Sequence, residues 1–182
     1  GSRAVMAMHL AEVLGIAAED VMPSIADTDS IGYSSGAGGS GVTFKMGRAC
    51  YEAAQDIKGQ MVERAARIWE VDPEAVEYRD AVLQHREDTE LRMTFGELAG
   101  VLNDTGGPVV GRATVNPAGV GSAFGLHVVD VEVDPDTGKV EILRYTALQD
   151  VGKAIHPGYV EGQIQGGAAQ GIGWALNEEY FF

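Results

Sequence analysis

Residues 45–70 read KMGRACYEAAQDIKGQMVERAARIWE, and no other stretch says as much about the fold. Apolar residues recur there at steps of three and four, the spacing that places side chains on one face of an α-helix. The resulting stripe consists of Met46, Cys50, Ala53, Ile57, Met61, Ala65 and Ile68. The sequence therefore predicts a long helix over 45–70 that packs on strands through Met46, Cys50, Ala53, Ile57 and Ile68.

The segment before this helix is predicted to contain three elements. Residues 2–14 have helical spacing, and Gly15 is suited to end that helix because glycine adopts left-handed backbone angles without strain. Val21 to Ala26 is predicted to be a short strand. Residues 32–43 are polar and rich in glycine, which predicts a loop that leads into the long helix.

The segment after the long helix is predicted to form short strands over 75–93 and then another helix. Thr94 is a good N-cap, and Glu97 stands three residues later, as a capping box requires. The helix that begins after Thr94 is expected to run to about Leu102.

The last third of the chain predicts a strand, a hairpin and a helix. Val109 to Val115 is the predicted strand. Residues 124–134 and 139–148 are predicted to pair through the turn Pro135-Asp136-Thr137-Gly138, in which proline at the first corner and a final glycine suit a type I turn with a bulge. Residues 158–177 are predicted to form a helix.

Strands and helices do not alternate regularly, which favours an α+β fold with mixed sheets packed against helices. The expected organisation is a cofactor-binding subdomain over 1–107, containing the loop 32–43 and the helix 45–70, and a hairpin with a glycine-rich helix over 108–182. The two are expected to pack as one fragment.

The overall composition excludes several classes of function. The 182 residues carry a formal net charge of −14, so the chain lacks the basic surface that a nucleic acid or an anionic membrane would need. No stretch approaches the roughly 18 apolar residues of a membrane span, and no signal peptide is visible, so a cytoplasmic location is expected. Cys50 is the only cysteine and is expected to be a small buried residue rather than a nucleophile. The four histidines lack the spacing of metal ligands, so we predict no metal ligand from the protein.

The loop segment Gly36 to Gly41 matches the dinucleotide pattern G-x-G-x-x-G, but its context does not suit a dinucleotide-binding fold. The loop is too long for a tight strand-to-helix turn, and the ribose-binding acid expected about 20 residues later would fall inside the long helix. A phosphate-binding P-loop is also excluded, because Val42 stands where lysine should be. Two interpretations remain: backbone N–H groups that bind an anion at a helix N-terminus, or a flexible surface loop without a ligand.

Five glycines in the last helix cost on the order of 4 kcal/mol relative to alanine, so a close approach to the helix backbone is expected. Gln163, Gln165 and Gln170 lie on the same helix, and a glutamine amide can bind a polar heterocycle or an oxo group through donors and an acceptor. The alternative is an exposed helix face, which the small residues around Gln170 argue against.

Taken together, these segments resemble the cofactor-binding half of the large subunit of molybdenum hydroxylases, the family that includes xanthine dehydrogenase, aldehyde oxidase and carbon monoxide dehydrogenase. The similarity covers nearly the whole chain, and it is the order of the motifs that makes it specific. They are Gly1-Ser2-Arg3 before a helix ending Glu12-Val13-Leu14-Gly15-Ile16; Asp27-Thr28-Asp29 and the glycine/serine loop; Gly47-Arg48-Ala49 with Ala53; Phe124-Gly125; Asp134 with Thr137-Gly138; Asp150-Val151-Gly152; Pro157; and Gly162-Gln163-Ile164 with Gly166-Gly167, Gln170-Gly171-Ile172-Gly173.

The resemblance implies cofactor-binding residues but no catalytic residue within this chain. The pterin-binding loop would be Gly39, Ser40, Gly41, Val42 and Thr43, and the cofactor glutamine near molybdenum would be Gln170. Val42 departs from members that have a second serine in the loop, so backbone contacts could persist there while a hydroxyl contact could not. The family's other cofactor glutamine would precede residue 1, and its glutamate base would follow residue 182.

The resemblance also implies the activity and the partners. The intact enzyme would hydroxylate aldehydes or N-heterocycles with oxygen from water, using molybdopterin, in bacteria the cytosine dinucleotide form. Iron–sulfur clusters and FAD would lie on other subunits or domains, and the remainder of the large subunit would complete the site. Both ends of the chain are expected to be cut, which predicts an inactive fragment that self-associates. The alternative is a non-catalytic α+β interaction domain whose glycines only permit close packing.

Overall fold

The computed structural model describes residues 1–25, 27–29, 34, 36–118 and 122–182. They divide into two compact units, Gly1–Ala118 and Gly119–Phe182. The cofactor-binding role of 1–107, and the packing of 1–107 and 108–182 as one fragment, stay predictions. The helices are α1 Ser2–Leu14, α2 Val42–Trp69, α3 Phe95–Gly100 and α4 Pro157–Leu176. The strands are β1 Val76–Arg79, β2 Val82–His85, β3 Arg92–Thr94, β4 Gly125–Val133 and β5 Val140–Gln149. These elements confirm the α+β class.

The core of the first unit lies where α2 packs on a small antiparallel sheet of order β1-β2-β3. Leu83 of β2 and Leu98 of α3 are fully buried against the C-terminal half of the helix. The capping box predicted for α3 is confirmed, because the Thr94 side chain accepts from the Glu97 backbone and the Glu97 side chain accepts from Thr94. Short 3-10 turns at Ala18–Asp20, Pro73–Ala75 and Leu102–Thr105 connect these elements.

The long helix is confirmed, but its bounds and its buried face differ from the prediction. It begins at Val42, three residues earlier than expected, so the first helical turn includes part of the predicted loop. Met61 and Ala65 of the predicted stripe are buried, and Ile57 is partly buried against the core. The prediction that Ile68 packs in the core is wrong, since 38% of its surface is exposed. Ala54 and Ala66, which the stripe omits, are buried, so the buried face is rotated relative to the predicted one.

Two predicted strands are wrong. Residues 21–25 form no strand, and Met22 and Ile25 are exposed, while Ala26 lies outside the described residues. Residues 109–115 are not a strand either. Hydrogen bonds from side chains of α2 satisfy backbone groups of this second segment, in place of a neighbouring strand.

The second unit consists of the β4–β5 hairpin and α4. The hairpin is confirmed, with Val133 opposite Val140 next to the turn, and Gly138 has the left-handed φ of 72° that a glycine bulge requires. His156, expected only to be a turn residue, caps α4: its Nδ1 accepts a hydrogen bond from the Tyr159 backbone N–H at 3.2 Å. None of residues 122–182 is buried, so this unit has no core of its own.

Within the described parts of the chain, no helix combines the length and the apolar character needed to cross a membrane.

Candidate functional site

The glycine-rich loop makes a tight turn into the N-terminus of α2. Gly39 and Ser40 both have left-handed backbone angles, with φ of 60° and 54°, and Gly41 returns to the right-handed region at φ −90°. The N–H of Gly41 donates to the carbonyl of Gly38 at 3.3 Å. Left-handed angles are unusual for a serine and place strain at Ser40. Two successive left-handed residues before a helix turn the chain sharply, so that the helix starts at Val42.

The beginning of α2 has the electrostatic properties of an anion site. Gly41 is the N-cap and has no side chain to satisfy the first N–H groups of the helix. Among the residues that the structure describes, no atom lies within 4 Å of a Cβ placed at Gly38 or Gly39, so these leave the loop backbone open to a ligand. The Lys45 side chain lies back over the N-cap, with its Nζ 3.7 Å from the position of a Cβ on Gly41. The helix dipole and this ammonium both favour negative charge here.

The next turn of α2 is supported by α1. Gly47 is buried, and a Cβ there would lie 2.7 Å from Nε2 of His9. The other ring nitrogen of His9 donates to the carbonyl of Val5 at 2.8 Å, which holds the ring in this position. His9 is thus structural, as its place in a helix suggests, and the glycine is required by close packing between the two helices.

A cavity of about 800 Å³ begins one residue after the loop. One wall is the N-terminal half of α2, with Phe44 and Arg48, and the other is the segment 112–118, which forms no helix or strand. Arg48 pairs with Glu52 on the helix. Most of the residues that line the cavity from the helix are therefore polar, and the opposite wall contains both polar and apolar residues, including Arg112 and Val115.

Two side chains of α2 hold the extended segment in place. Gln60 bonds both backbone groups of Val110: its Nε2 donates to the carbonyl at 3.0 Å, and its Oε1 accepts from the N–H at 3.4 Å. Asp56, one turn earlier, accepts from the Arg112 N–H at 2.9 Å. That hydrogen bond, with smaller contributions from Gln60 and from the positive charge of Arg112, lowers the pKa of Asp56. The carboxylate is thus stabilised in its ionised form, the better acceptor for an N–H group.

The segment passes over the helix at Gly111. A Cβ there would be 2.3 Å from the carbonyl oxygen of Ala53 and 2.5 Å from Cγ1 of Ile57. Only glycine permits this approach.

Gln170 lies in the second unit, on α4, and its side chain is exposed there. Within this unit Gln170 thus lies on an exposed helix face, despite the small residues around it. A Cβ at Gly166, Gly167 or Gly171 would meet nothing within 4 Å, so the backbone of α4 near Gln170 is accessible. A separate groove of about 420 Å³ lies between α4 and β5, lined in part by Tyr145 and Ile164.

The structure thus places the sequence-derived site residues in two groups. Residues 39–43 form one loop and helix start in the first unit, and Gln170 belongs to the second unit. Sequence reasoning missed Lys45, Asp56 and Gln60. Lys45 is the second residue after the loop and was detectable as a cation in the first helical turn, whereas the partners of the other two lie 50 or more residues away along the chain. In the described part of the chain, no three His, Cys, Asp or Glu side chains are close enough to hold a metal ion.

Comparison with known proteins decides what this domain is. The sequence model of the molybdopterin cofactor-binding domain family matches residues 1–182, the full chain. The chain belongs to the molybdopterin cofactor-binding family. This membership favours a cofactor-binding domain over a non-catalytic interaction domain.

The molybdopterin-binding domain is similar to segments of much longer enzymes. It is 31% identical to the 6-hydroxypseudooxynicotine dehydrogenase complex subunit gamma of Paenarthrobacter nicotinovorans, over 100% of this chain and 24% of that protein. It is also 31% identical to the carbon monoxide dehydrogenase large chain of Afipia carboxidovorans, over 98% of this chain and 23% of that protein. The crystal structure of quinoline 2-oxidoreductase from Pseudomonas putida 86 superimposes with a TM-score of 0.73 at 29% identity, over 100% of this chain and 24% of that one. The chain therefore spans about a quarter of the length of these relatives, which are oxidoreductases.

Proposed function

We propose that this chain is the cofactor-binding part of the large subunit of a molybdenum hydroxylase that oxidises aldehydes or N-heterocycles. In such a reaction a substrate C–H bond is replaced by C–OH, water supplies the oxygen, and two electrons and two protons are released. The proposal is supported by the full-length family match together with the helix N-terminus behind the glycine loop, which has the charge and open backbone that a phosphate needs.

The loop residues Gly39, Ser40, Gly41, Val42 and Thr43 are proposed to bind the phosphate-bearing side of the pterin. Val42 and Thr43 are the first two residues of α2, where the N–H groups have no carbonyl partner within the helix. Lys45 adds positive charge beside them. Val42 needs only its backbone N–H for this role, so the absence of a serine hydroxyl at that position is tolerated.

Gln170 is proposed to hydrogen-bond near the molybdenum ligands. Its amide offers donors and an acceptor without net charge, and the open glycines around it leave room for a large cofactor against the helix backbone. When bound, the cofactor supplies the two-electron redox chemistry; the protein residues bind and orient it. We propose the cytosine dinucleotide form, with iron–sulfur clusters and FAD on partner subunits or domains, in a cytoplasmic enzyme.

A pair of substitutions at Gly39 tests the phosphate assignment in the intact subunit. Asp and Asn have nearly the same shape, both tolerate left-handed backbone angles, and the space around a Cβ at Gly39 is open. If a phosphate binds here, Gly39→Asp places a carboxylate against it and lowers molybdenum and pterin content, while Gly39→Asn retains most of both. Equal contents in the two variants would remove the loop from the site.

A second experiment tests Gln170. Gln170→Ala in the full-length enzyme is expected to lower either turnover or molybdenum occupancy, because the substitution removes one polar contact to the cofactor. Unchanged values of both would remove Gln170 from the site.

The 182-residue chain alone is proposed to be inactive, because none of its residues matches the family's glutamate base and general-base catalysis depends on a positioned base. The second unit exposes many large apolar side chains, which also favours self-association of the isolated chain. Metal analysis and an aldehyde or N-heterocycle oxidation assay on the purified chain check both parts. Stoichiometric molybdenum with turnover would contradict the proposal.

A further inference from the structure

A row of polar side chains on α2 binds the backbone of the segment that follows α3. Its members are four residues apart, which places them on one side of the helix. Asp56 bonds the Arg112 N–H and Gln60 bonds Val110. Arg64 donates to the backbone carbonyl and to the side chain of Thr105.

These bonds take the place of strand pairing. A β-strand residue in a sheet satisfies its N–H and its C=O with one neighbouring residue. Gln60 does the same for Val110 with a single amide group. The backbone groups of Val110 and the N–H of Arg112 are therefore satisfied on the helix without a neighbouring strand, although the residues around them have strand composition.

The same bonds determine one wall of the large cavity. Asp56 lines the cavity and also holds Arg112, the residue at which the opposite wall begins. From Arg112 the chain runs to Ala118 and faces Phe44 and Arg48, which lie in the first two turns of α2 directly after the loop. The width of the cavity beside the loop thus depends on where Arg112 is held.

We propose that Asp56 and Gln60 are positioning residues for the cofactor-binding end of α2. They hold Val110 and Arg112 against the helix and so fix the 112–118 wall beside the loop that binds the phosphate. This inference rests on the proposed function, since it assumes that the loop binds the cofactor. The two side chains would help to retain the cofactor by holding the 112–118 segment in place, without contacting the cofactor themselves.

The first measurement asks whether the bonds hold the wall. In the full-length enzyme, Asp56→Ala removes a charged acceptor, and loss of such a hydrogen bond is expected to speed hydrogen exchange of the Arg112 amide by about tenfold. Asp56→Asn keeps an acceptor oxygen and should restore most of the protection. An unchanged exchange rate in Asp56→Ala would overturn the proposal, because the bond would not be holding the segment.

The second measurement asks whether the wall affects the cofactor. When enzyme is produced with limiting molybdate, Asp56→Ala and Gln60→Ala are expected to lower molybdenum content several-fold, with turnover per bound molybdenum unchanged. Arg67→Ala is the control: it loses a 2.8 Å bond to the Thr105 carbonyl, at the other end of the segment and away from the cavity, and should retain its molybdenum.

The outcomes separate a positioning role from general destabilisation. Faster exchange at Arg112 with normal molybdenum content would overturn the proposal, and so would an equal loss of molybdenum in Arg67→Ala. Failure of the proposed function is seen separately: Gly39→Asp would then match Gly39→Asn in molybdenum content, whatever the Asp56 variants do.

Discussion

Two glycines of α2 provide a direct test of how the helix is packed. Gly47 is buried against α1, and a Cβ there would lie 2.7 Å from Nε2 of His9. Gly59 lies in the interior of the same helix, is exposed, and a Cβ there would meet nothing within 4 Å. The same substitution, glycine to alanine, therefore adds a methyl group to a crowded position in one case and to open solvent in the other.

The two variants are expected to differ in stability because only the methyl group at position 47 meets a neighbouring side chain. Alanine stabilises a helix interior by about 1 kcal/mol relative to glycine, and both variants gain this amount. Gly47→Ala also forces the His9 ring to move, and overpacking of this kind costs about 1–3 kcal/mol. We therefore expect Gly59→Ala to raise the free energy of unfolding by about 1 kcal/mol, and Gly47→Ala to be less stable than Gly59→Ala by about 1–3 kcal/mol.

Urea unfolding checks the difference, with Trp69 as the fluorescent reporter of the first unit and Trp174, which is exposed, replaced by phenylalanine. His9→Ala supplies the second mutation of a double-mutant cycle, since it removes the ring that the new methyl group would contact. In that background the two glycine variants should have nearly equal stability. If Gly47→Ala is as stable as Gly59→Ala with His9 present, the packing of α1 on α2 described above is wrong.

Three further changes have definite expected outcomes. Ile57→Ala should cost about 2 kcal/mol in urea unfolding, the low end for a core deletion because the side chain is only partly buried; no loss would show that it does not pack on the core. Burial raises the pKa of Tyr78 to about 12, and its hydroxyl donates to the Leu14 carbonyl at 2.7 Å. Folding thus favours the protonated phenol, so its contribution to the free energy of unfolding is complete below pH 10 and is lost as pH rises from 10 to about 12. Tyr78→Phe should abolish that part of the pH dependence of stability. An unchanged dependence of stability on pH above 10 would contradict the assignment. His156→Ala removes the cap that accepts from the Tyr159 N–H and should destabilise α4 by about 1 kcal/mol, whereas His156→Asn retains an acceptor; equal helix melting by circular dichroism in both variants would show that the cap contributes nothing.

Elements that form through interactions between residues close together in the sequence could be predicted. The long helix over 45–70, the Thr94–Glu97 capping box and the turn at 135–138 each arise from side chains or backbone angles within a few positions of one another. The glycine loop was also recognisable as the segment that leads into a helix N-terminus, and the structure places that N-terminus at Val42; anion binding there stays a prediction. Family membership, too, was evident in the order of short motifs and is confirmed over the whole chain.

The sequence could not decide how segments far apart along the chain bond to each other and pack together. Residues 109–115 have strand composition, but the backbone groups of Val110 and Arg112 bond side chains of α2 that lie 50 or more residues away, and the segment forms no strand. Gly47 and Gly111 look alike in sequence, yet one makes room for a histidine ring and the other for a helix carbonyl. Local patterns by themselves determined which helices and turns form, because those interactions lie within single elements. Only the tertiary structure decided which face of α2 is buried and what covers the rest, because those contacts exist only once the chain has folded back on itself.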